Sequence, residues 1–568
     1  MRAECKYKFI QRQGSVLVLV VLSIVILTAL GLGMLTVAYG ARLNAIRTAN
    51  RAIAMLAAEA GYEKAVFWLS QQPDVAYIMK TGGTYSDSLS FTNSSCDYDV
   101  SFFSYLGSRP AYKITSTGRC GSPAFSKTVD VIMLQQIGGW DMGVCKVPSG
   151  TTSTQPVYFA SGEIIDLPLH INKLNDSPDE KDIYITGNPQ FLQEVSVSES
   201  RYTSGGSDKY AGVMNLFQGG IDFDQPNSKI TDESAIQTKV NRFKDSTKTG
   251  ARFTPTATAP ITNPLAATQI EFGIIDGVGK VRITNNCTVR GFRQSEASRT
   301  WDYRIKPNTG GEQYERYYIY SYHLMPEDAE STGQRTIYNV TDSYVTQSIG
   351  GVESEPGGQI FVDGNVIIGG DLTLHNGNQL VKGKITIVAT GNIWVADSIL
   401  LDGPHDADGR PSEDNPNALG LIAQGAIKVV DPGMSDYSYV DDQPVTPEDY
   451  TYVPIGIPDS GQPSDSYKRH LPNQLEIEAA MTVGGGGFGA ENVRRSSYGD
   501  RKEASGSQDD LVVRGAITEA IRGVVGLVGS DGYIKKYYFD PRLLKGILPG
   551  DVWLRGKYTP APAGWKDY

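Results

Sequence analysis

The chain has 568 residues, with 52 Lys and Arg against 63 Asp and Glu, a formal net charge of −11. That balance excludes a general nucleic-acid binder, which needs a basic face to neutralise phosphates, and it bears on solubility instead. Hydrophobic residues make up 40% and charged residues 20% of the chain, so folded cores are available and wholesale disorder is excluded.

Ahead of the first apolar run stand Arg2, Lys6, Lys8 and Arg12 against Glu4, and from Gln13 to Ala41 no side chain is charged. The apolar part, 16–39, makes a helix of about 36 Å, enough to cross a hydrocarbon layer of about 30 Å. A cleaved signal peptide has a shorter apolar core followed by a small-residue cleavage site. Here the helical pattern continues, so the segment is expected to be retained. The basic leader favours a cytoplasmic N-terminus, although Arg42, Arg47 and Arg51 follow on the other side. Beyond the run, Ile46, Ala49, Ile53, Leu56, Ala60 and Phe67 recur as an apolar helical stripe. Residues 15–72 therefore read as one long helix, with Gly31, Gly33 and Gly40 as points of bending and Pro73 as its stop.

Between 84 and 136 the pattern turns to alternation. Strands are expected at 96–105, 111–118 and 126–135, separated by Gly, Ser and Pro turns. A long helix followed by three short strands suits a small antiparallel sheet packed on the helix's distal half. Of five cysteines, Cys5 precedes the apolar segment and Cys96, Cys120, Cys145 and Cys287 follow it. If that part is exported, the four can form two disulfides. Cys96 with Cys120, on neighbouring strands, is the first candidate pair and Cys145 with Cys287 the remainder, though spacing does not fix connectivity. No Cys-x-x-Cys occurs, so zinc is not expected. The five histidines, His170, His323, His375, His405 and His470, lack i, i+4 spacing and read as isolated surface positions.

The remaining 400 or so residues are rich in short apolar runs; the clearest lie at 360–362, 366–368, 372–374, 385–388, 393–395 and 399–401. Asp-Gly, Gly-Gly, Asn-Gly and Gly-Lys stand between them. Such short strands bury a continuous core when stacked as rungs of a parallel β-solenoid with glycine corners. The alternatives are an irregular antiparallel sheet and a β-sandwich, which spaces its turns at about 8–12 residues. Further runs lie at 419–423, 427–430, 475–483 and 511–528, and an earlier strand-rich stretch at 157–223 is expected to begin the same sheet system. The fold class is thus α+β, mainly β. The divisions are a leader (1–14), a helix (15–72), a β head (73–140), the start of the distal domain (141–230), an insertion (231–350) and a solenoid-like C-terminal domain (351–568).

Candidate chemistry is thin. Asp402, Asp406 and Asp408, with Gly409, resemble part of a calcium loop, but the later carboxylates are not at EF-hand positions and a solvated turn explains them better. Gly484 to Gly489 (GGGGFG) lacks the Lys-Ser/Thr of a phosphate loop and reads as a flexible connector. Asp540-Pro541-Arg542 reads as a turn with Arg542 bound to carbonyls or to Asp540. The 314–322 stretch (YERYYIYSY) alternates like an edge or surface strand, its tyrosines either contacting a glycan or partner or buried. No catalytic residue, metal or cofactor is expected.

One resemblance gathers these features. Arg12-Gln13-Gly14-Ser15, immediately before the apolar run, resembles a prepilin-peptidase site cleaving between Gly14 and Ser15. Residues 14–68 resemble the N-terminal region of PilX-like minor pilins, with Ala58-Glu59-Ala60-Gly61 matching that family's AEAG signature. YKITSTGRC (112–120) and KTVDVIML (127–134) resemble minor-pilin heads. SGEIIDLPLHIN (161–172), FQGGIDF (217–223), 357–403 and YIKKYYFDPRL (533–543) resemble the large C-terminal extension of some PilX-type assembly proteins. The fifth mature residue would be Leu19, where major pilins carry glutamate, and the first is Ser15 rather than an aromatic residue. The resemblance implies a processed and methylated minor pilin or pseudopilin of a type IV pilus or related secretion system. It would sit in the inner membrane and then on the pilus or cell surface. It also implies Leu19, Glu59 and Gly61 on an assembly helix, other pilins and the prepilin peptidase as partners, and a distal domain open to a surface or glycan ligand. The alternatives are a membrane-tethered β-helix enzyme acting on polysaccharide and a purely structural surface protein with no assembly role.

Overall fold

The computed structural model describes residues 13–72, 83–106, 109–121, 124–137, 139–144, 157–173, 183–228, 236–237, 240–241, 251–256, 264–294, 303–305, 314–323, 335–340, 358–370, 378–430, 474–490, 509–526, 532–545 and 554–567. One long helix, α1 (Gln13–Gln71), leads into a large β-rich region of several sheets. At 1.5 Å per residue its 59 residues run about 89 Å. The hydroxyls within its apolar run are satisfied internally: Ser23, Thr28 and Thr36 donate to the carbonyls of Leu19, Ile24 and Leu32 at 2.7–2.8 Å. Gly31, Gly33 and Gly40 lie inside the unbroken helix.

The distal half of α1 carries an antiparallel sheet, the head. Its strands are β1 (Tyr85–Ser90), β2 (Ser94–Leu106), β3 (Arg109–Cys120) and β4 (Phe125–Ile137), in that order. A fifth strand completes it from the other end of the chain: Leu554–Asp567 pairs antiparallel with β4, matching Thr559 to Leu134 and Lys566 to Asp130. The sequence reading placed these residues in the distal domain. Helix and sheet share a core of Ala58, Tyr62, Ala65, Leu69, Tyr98, Val100, Tyr112, Ile114, Val129, Val131 and Met133. Trp68 stacks on Tyr85 with centroids 3.9 Å apart, and Tyr62 meets Trp565 edge-on at 5.1 Å.

Beyond the head, short strands pair in parallel and in register. One inward-facing ladder runs Ile360, Ile387, Leu421, Met481, Ile517, Trp140, Leu169, Val195 and Ile221, each the register partner of the next. A second runs Ile270, Ile368, Val395, Val429 and Ala490. Both line one apolar core. Between them asparagines pin the corners: Asn365 Oδ1 accepts the N–H of Asn392 at 3.0 Å, and Asn392 Oδ1 accepts that of Ala426 at 2.8 Å. The parallel solenoid expected for this region is not what forms: it is divided among several sheets, and its pairing is not uniformly parallel. Pro264–Ile275 and Val278–Gln294 form an antiparallel hairpin, and Tyr314–His323 runs antiparallel to the latter. In the stretch expected as an edge or surface strand, Tyr314–Arg316 also pairs with Tyr303–Ile305 on the other side.

The order along the first ladder is informative. The chain leaves β4 into Trp140–Val144 in mid-ladder, steps to one end at Ile221–Asp222, and resumes at the other end with Ala251–Phe253. It then steps back until Asp509–Ile521 lies beside Trp140–Val144. The distal body is thus inserted between β4 and the last strand of the head. Where the two runs meet, Trp140 Nε1 donates to Glu519 at 2.9 Å, and Glu519 also accepts the N–H groups of Phe488 and Gly523. Beside it the buried Lys535 ammonium reaches Glu163 and the carbonyl of Tyr158. Burial raises the Glu519 carboxyl and lowers the Lys535 amine, the latter opposed by Glu163.

Candidate assembly face on the N-terminal helix

The helix carries two apolar faces of different grain. Toward the head it presents small side chains: Ala54, Ala57, Ala58, Gly61 and Ala65 are buried, with Tyr62 and Leu69 beside them. Their size allows close approach. A Cβ built on Gly118 of β3 would lie 2.0 Å from the carbonyl oxygen of Ala54 and 2.5 Å from the nitrogen of Ala58. Gly61 is the reciprocal position, where a Cβ would meet Ser116 Oγ at 2.3 Å and Cys96 Sγ at 2.9 Å. The AEAG stretch therefore has a physical reason: Ala58 and Gly61 face the sheet, and the half-buried Glu59 and Ala60 flank them.

The second face is the large-residue stripe. Ile46, Ile53, Leu56 and Phe67 are exposed, Leu56 to 62%. It continues into the span from Val16, which is long and apolar enough to cross a membrane and is not buried in the rest of the described chain. Leu19 is 66% exposed there, and Gly33 leaves a notch between Ala29, Leu30, Met34 and Val37. Gly14 and Ser15 fall in the first turn of α1, and the basic leader lies outside the described residues.

The remaining candidates have structural surroundings. Cys96 and Cys120 are not bridged: Cys96 lies opposite Gly118 and Cys120 opposite Ser94. The expected pair is therefore staggered along the strands, with Cys96 against Gly61 and Cys120 Sγ 3.9 Å from Asn50 Oδ1. Cys287 is a reduced thiol whose S–H reaches the carbonyl of Thr284, and Cys145 lies outside the described residues. Asp402 pairs with Lys382 at 3.3 Å, Asp406 Oδ1 accepts the N–H groups of Asp408 and Arg410, and Asp408 points outward. Among the described residues no group of three His, Cys, Asp or Glu is arranged for a metal.

The loop bearing these aspartates is fastened to the ladder. His405 Nε2 lies 3.0 Å from the buried Glu478, so this histidine is not an isolated surface position; Arg410 pairs with Asp166. Arg542 reaches the carbonyls of Asn415 and Asn417 at 2.6 and 2.9 Å while binding Asp540, the turn expected for Asp540-Pro541-Arg542. The glycine run is no flexible connector: Gly487–Ala490 is a buried strand, and a Cβ on Gly489 would lie 2.5 Å from the Val524 carbonyl oxygen.

No family model matches the chain, and no curated relative matches it. Among solved structures, it aligns with the crystal structure of the competence-associated pilin ComZ from Thermus thermophilus. The identity is 10% and the TM-score 0.24, over 91% of this chain and 97% of that one. A TM-score this low carries no argument. The chain's own geometry defines it as a single-stem β protein: an apolar helix that leaves the head bare, a sheet clamped on its far half, and a large inserted β body.

Proposed function

We propose that this chain is a pilin-like minor subunit of a type IV pilus or a related secretion pseudopilus. The observation that carries the reading is the pair of faces on α1. A helix that needed only to anchor its head would have no use for an apolar stripe outside the membrane span that its own head leaves uncovered. Large apolar side chains in water cost roughly 1.5–3 kcal/mol each relative to burial. Ile46, Ile53, Leu56 and Phe67 are therefore matched to neighbouring subunit helices in a bundle, continuous with the membrane-crossing part. In this reading the prepilin peptidase cuts between Gly14 and Ser15, the N-terminus begins on the cytoplasmic side of the inner membrane, and the mature amine is methylated. Leu19 in place of a glutamate leaves no buried acid to pair with a neighbour's amine, which suits a minor position.

The distal body is then a cargo borne by the stem, a large β-rich body offering an outward surface to a partner or a glycan. Its bulk would clash if repeated along a close-packed filament, which again favours a minor or apical place. Two measurements test the proposal. Mass spectrometry of the mature chain should find Ser15 at its N-terminus; Met1 in place refutes processing. Sheared filaments should contain the subunit; its absence there, with unchanged piliation in a deletion strain, refutes the assembly role.

A further inference from the structure

Four consecutive parallel strands near one end of the ladder carry polar residues on their outward face. Trp140, Met142, Leu169, Ile171, Val195 and Val197 point into the core. Between them, in register, stand Asp141, His170, Ser196 and Asp222. Adjacent strands lie about 4.8 Å apart, so these side chains form a column of carboxylate, imidazole, hydroxyl and carboxylate. His170, read from sequence as an isolated surface residue, is only 5% exposed.

The hydrogen bonds around His170 fix its tautomer. Asn172 Oδ1 lies 2.6 Å from the Ser228 nitrogen, and Asn172 Nδ2 lies 3.0 Å from the Ser228 oxygen. A backbone N–H can only donate, so the amide orientation of Asn172 is set. The same Oδ1 is 3.0 Å from His170 Nε2, which must therefore carry the proton. Nδ1 of the neutral ring is left as the acceptor, and Ser196 Oγ sits 2.8 Å from it. The Leu169 carbonyl, 3.4 Å from Ser196 Oγ, competes weakly. A hydroxyl on a base, with that base held by a third group, is the arrangement that activates a serine nucleophile.

We propose that Ser196, His170 and Asn172 form an acyl-transfer site directed at carboxylic esters, with Ser196 as nucleophile, His170 as general base and Asn172 as the residue that positions it. Ser196 is half-buried and the neighbouring Asp222 exposed, so the hydroxyl is approached from the outward side. Ser196 Oγ bonds to the acyl carbon as its proton passes to His170 Nδ1. Collapse breaks the ester C–O bond, and the proton goes to the leaving alkoxide. Water then repeats the sequence, releasing the carboxylic acid and restoring the serine. Asp141, one strand away on the same face, stabilises the transient imidazolium. The backbone N–H groups of these strands serve the ladder, so oxyanion stabilisation is weak. Acylation and deacylation are both slow for that reason, and acyl-serine accumulates only from an ester with a good leaving group, such as a p-nitrophenyl ester.

The test is covalent labelling of the full-length chain in detergent with a fluorophosphonate, mapped by mass spectrometry, alongside hydrolysis of p-nitrophenyl acetate. Ser196 is expected to label far faster than the chain's other serines and to give an initial burst of nitrophenol. Ser196→Ala removes both. His170→Gln slows labelling by about a hundredfold or more, and Asn172→Ala, which releases the tautomer, by about tenfold or more. Labelling of Ser196 no faster than the other serines in wild-type protein overturns the proposal without reference to any variant. Equal labelling rates in folded His170→Gln and wild type overturn it as well.

Discussion

Replacing Gly118 by alanine tests the contact on which the head depends. The added Cβ would sit 2.0 Å from the Ala54 carbonyl oxygen, and ordinary van der Waals contact begins at 3.4 Å, so a separation of 1.4 Å (3.4 − 2.0) must be found. The atoms in the way are helix backbone, which cannot rotate aside. Either α1 lifts from β3 or β3 bows away. A gap of 0.5–1 Å already forfeits about a quarter to a half of each dispersion contact along the seam, and Ala58, Tyr62, Ala65 and Leu69 all lie on it. The cost is at the upper end of overpacking, about 3 kcal/mol, or roughly a hundredfold in the folding equilibrium. The assay is urea unfolding of the full chain in detergent, followed by tryptophan fluorescence, since Trp68 and Trp565 both lie at the helix–sheet seam. Gly33→Ala is the control: nothing lies within 4 Å of its Cβ, and helix propensity alone makes it stabilising by up to about 1 kcal/mol. If Gly118→Ala unfolds within about 0.5 kcal/mol of wild type, the helix does not rest on β3 in this way.

Other consequences can be measured separately. Leu56→Ser, on the exposed stripe, should leave the isolated protein within about 0.5 kcal/mol of wild type yet drop out of sheared filaments; retention at wild-type levels would count against the assembly face. Asn392→Ala strands the Ala426 N–H in a buried corner and should cost about 1–3 kcal/mol, with hydrogen exchange rising first at Ala426; unchanged exchange there would show the corner bond to be dispensable. Glu519 gives a pH signature. Burial raises its carboxyl above the ordinary 4.5, against the opposing hydrogen bonds from Phe488, Trp140 and Gly523 and the charge of Arg522. A raised acid lends its stability below 4.5 and loses it as pH climbs through the folded-state value. The stability of wild type minus that of Glu519→Gln should therefore fall as pH rises above 4.5 and then level; a difference that grows with pH contradicts the assignment.

How much of this was legible in the sequence depended on whether the signal was local. The helix, the strands of β2 to β4 and the Arg542 turn announced themselves through periodicity and turn residues. The short runs at 360–362, 385–388 and 419–423 gave strand positions, and the structure puts Ile360, Ile387 and Leu421 in one ladder. The meeting of Ile517 with Trp140 had no such signal, because a repeat pattern says which residues face inward and not which strand lies beside which. The last strand was hidden for another reason. Its Pro560, Pro562 and Gly564 are poor strand formers, tolerated because the strand lies at the sheet edge with two shifts of register. A cue that was present and passed over is the recurrence of Gly-Asn at Gly364-Asn365 and Gly391-Asn392, the positions that bond from one corner to the next. His170 offered none: its partner Ser196, on another strand, comes beside it only after the strands stack.

The insertion also constrains how the stem can carry its load. A domain appended to the head by one linker could swing about it. Here the body is attached twice, through the connection from β4 to Trp140–Val144 and through the return to Leu554–Asp567, which pairs with β4. Two attachments restrict rotation more than one would. The buried groups Glu519, Trp140, Lys535 and Glu163 sit where the two runs close on each other. Buried charges gain little net stability over apolar packing, but breaking one partner is costly, so their effect is to penalise any other register at the closure. With its small-residue face covered by the head, α1 is left with the large-residue stripe as its uncovered apolar surface beyond the span.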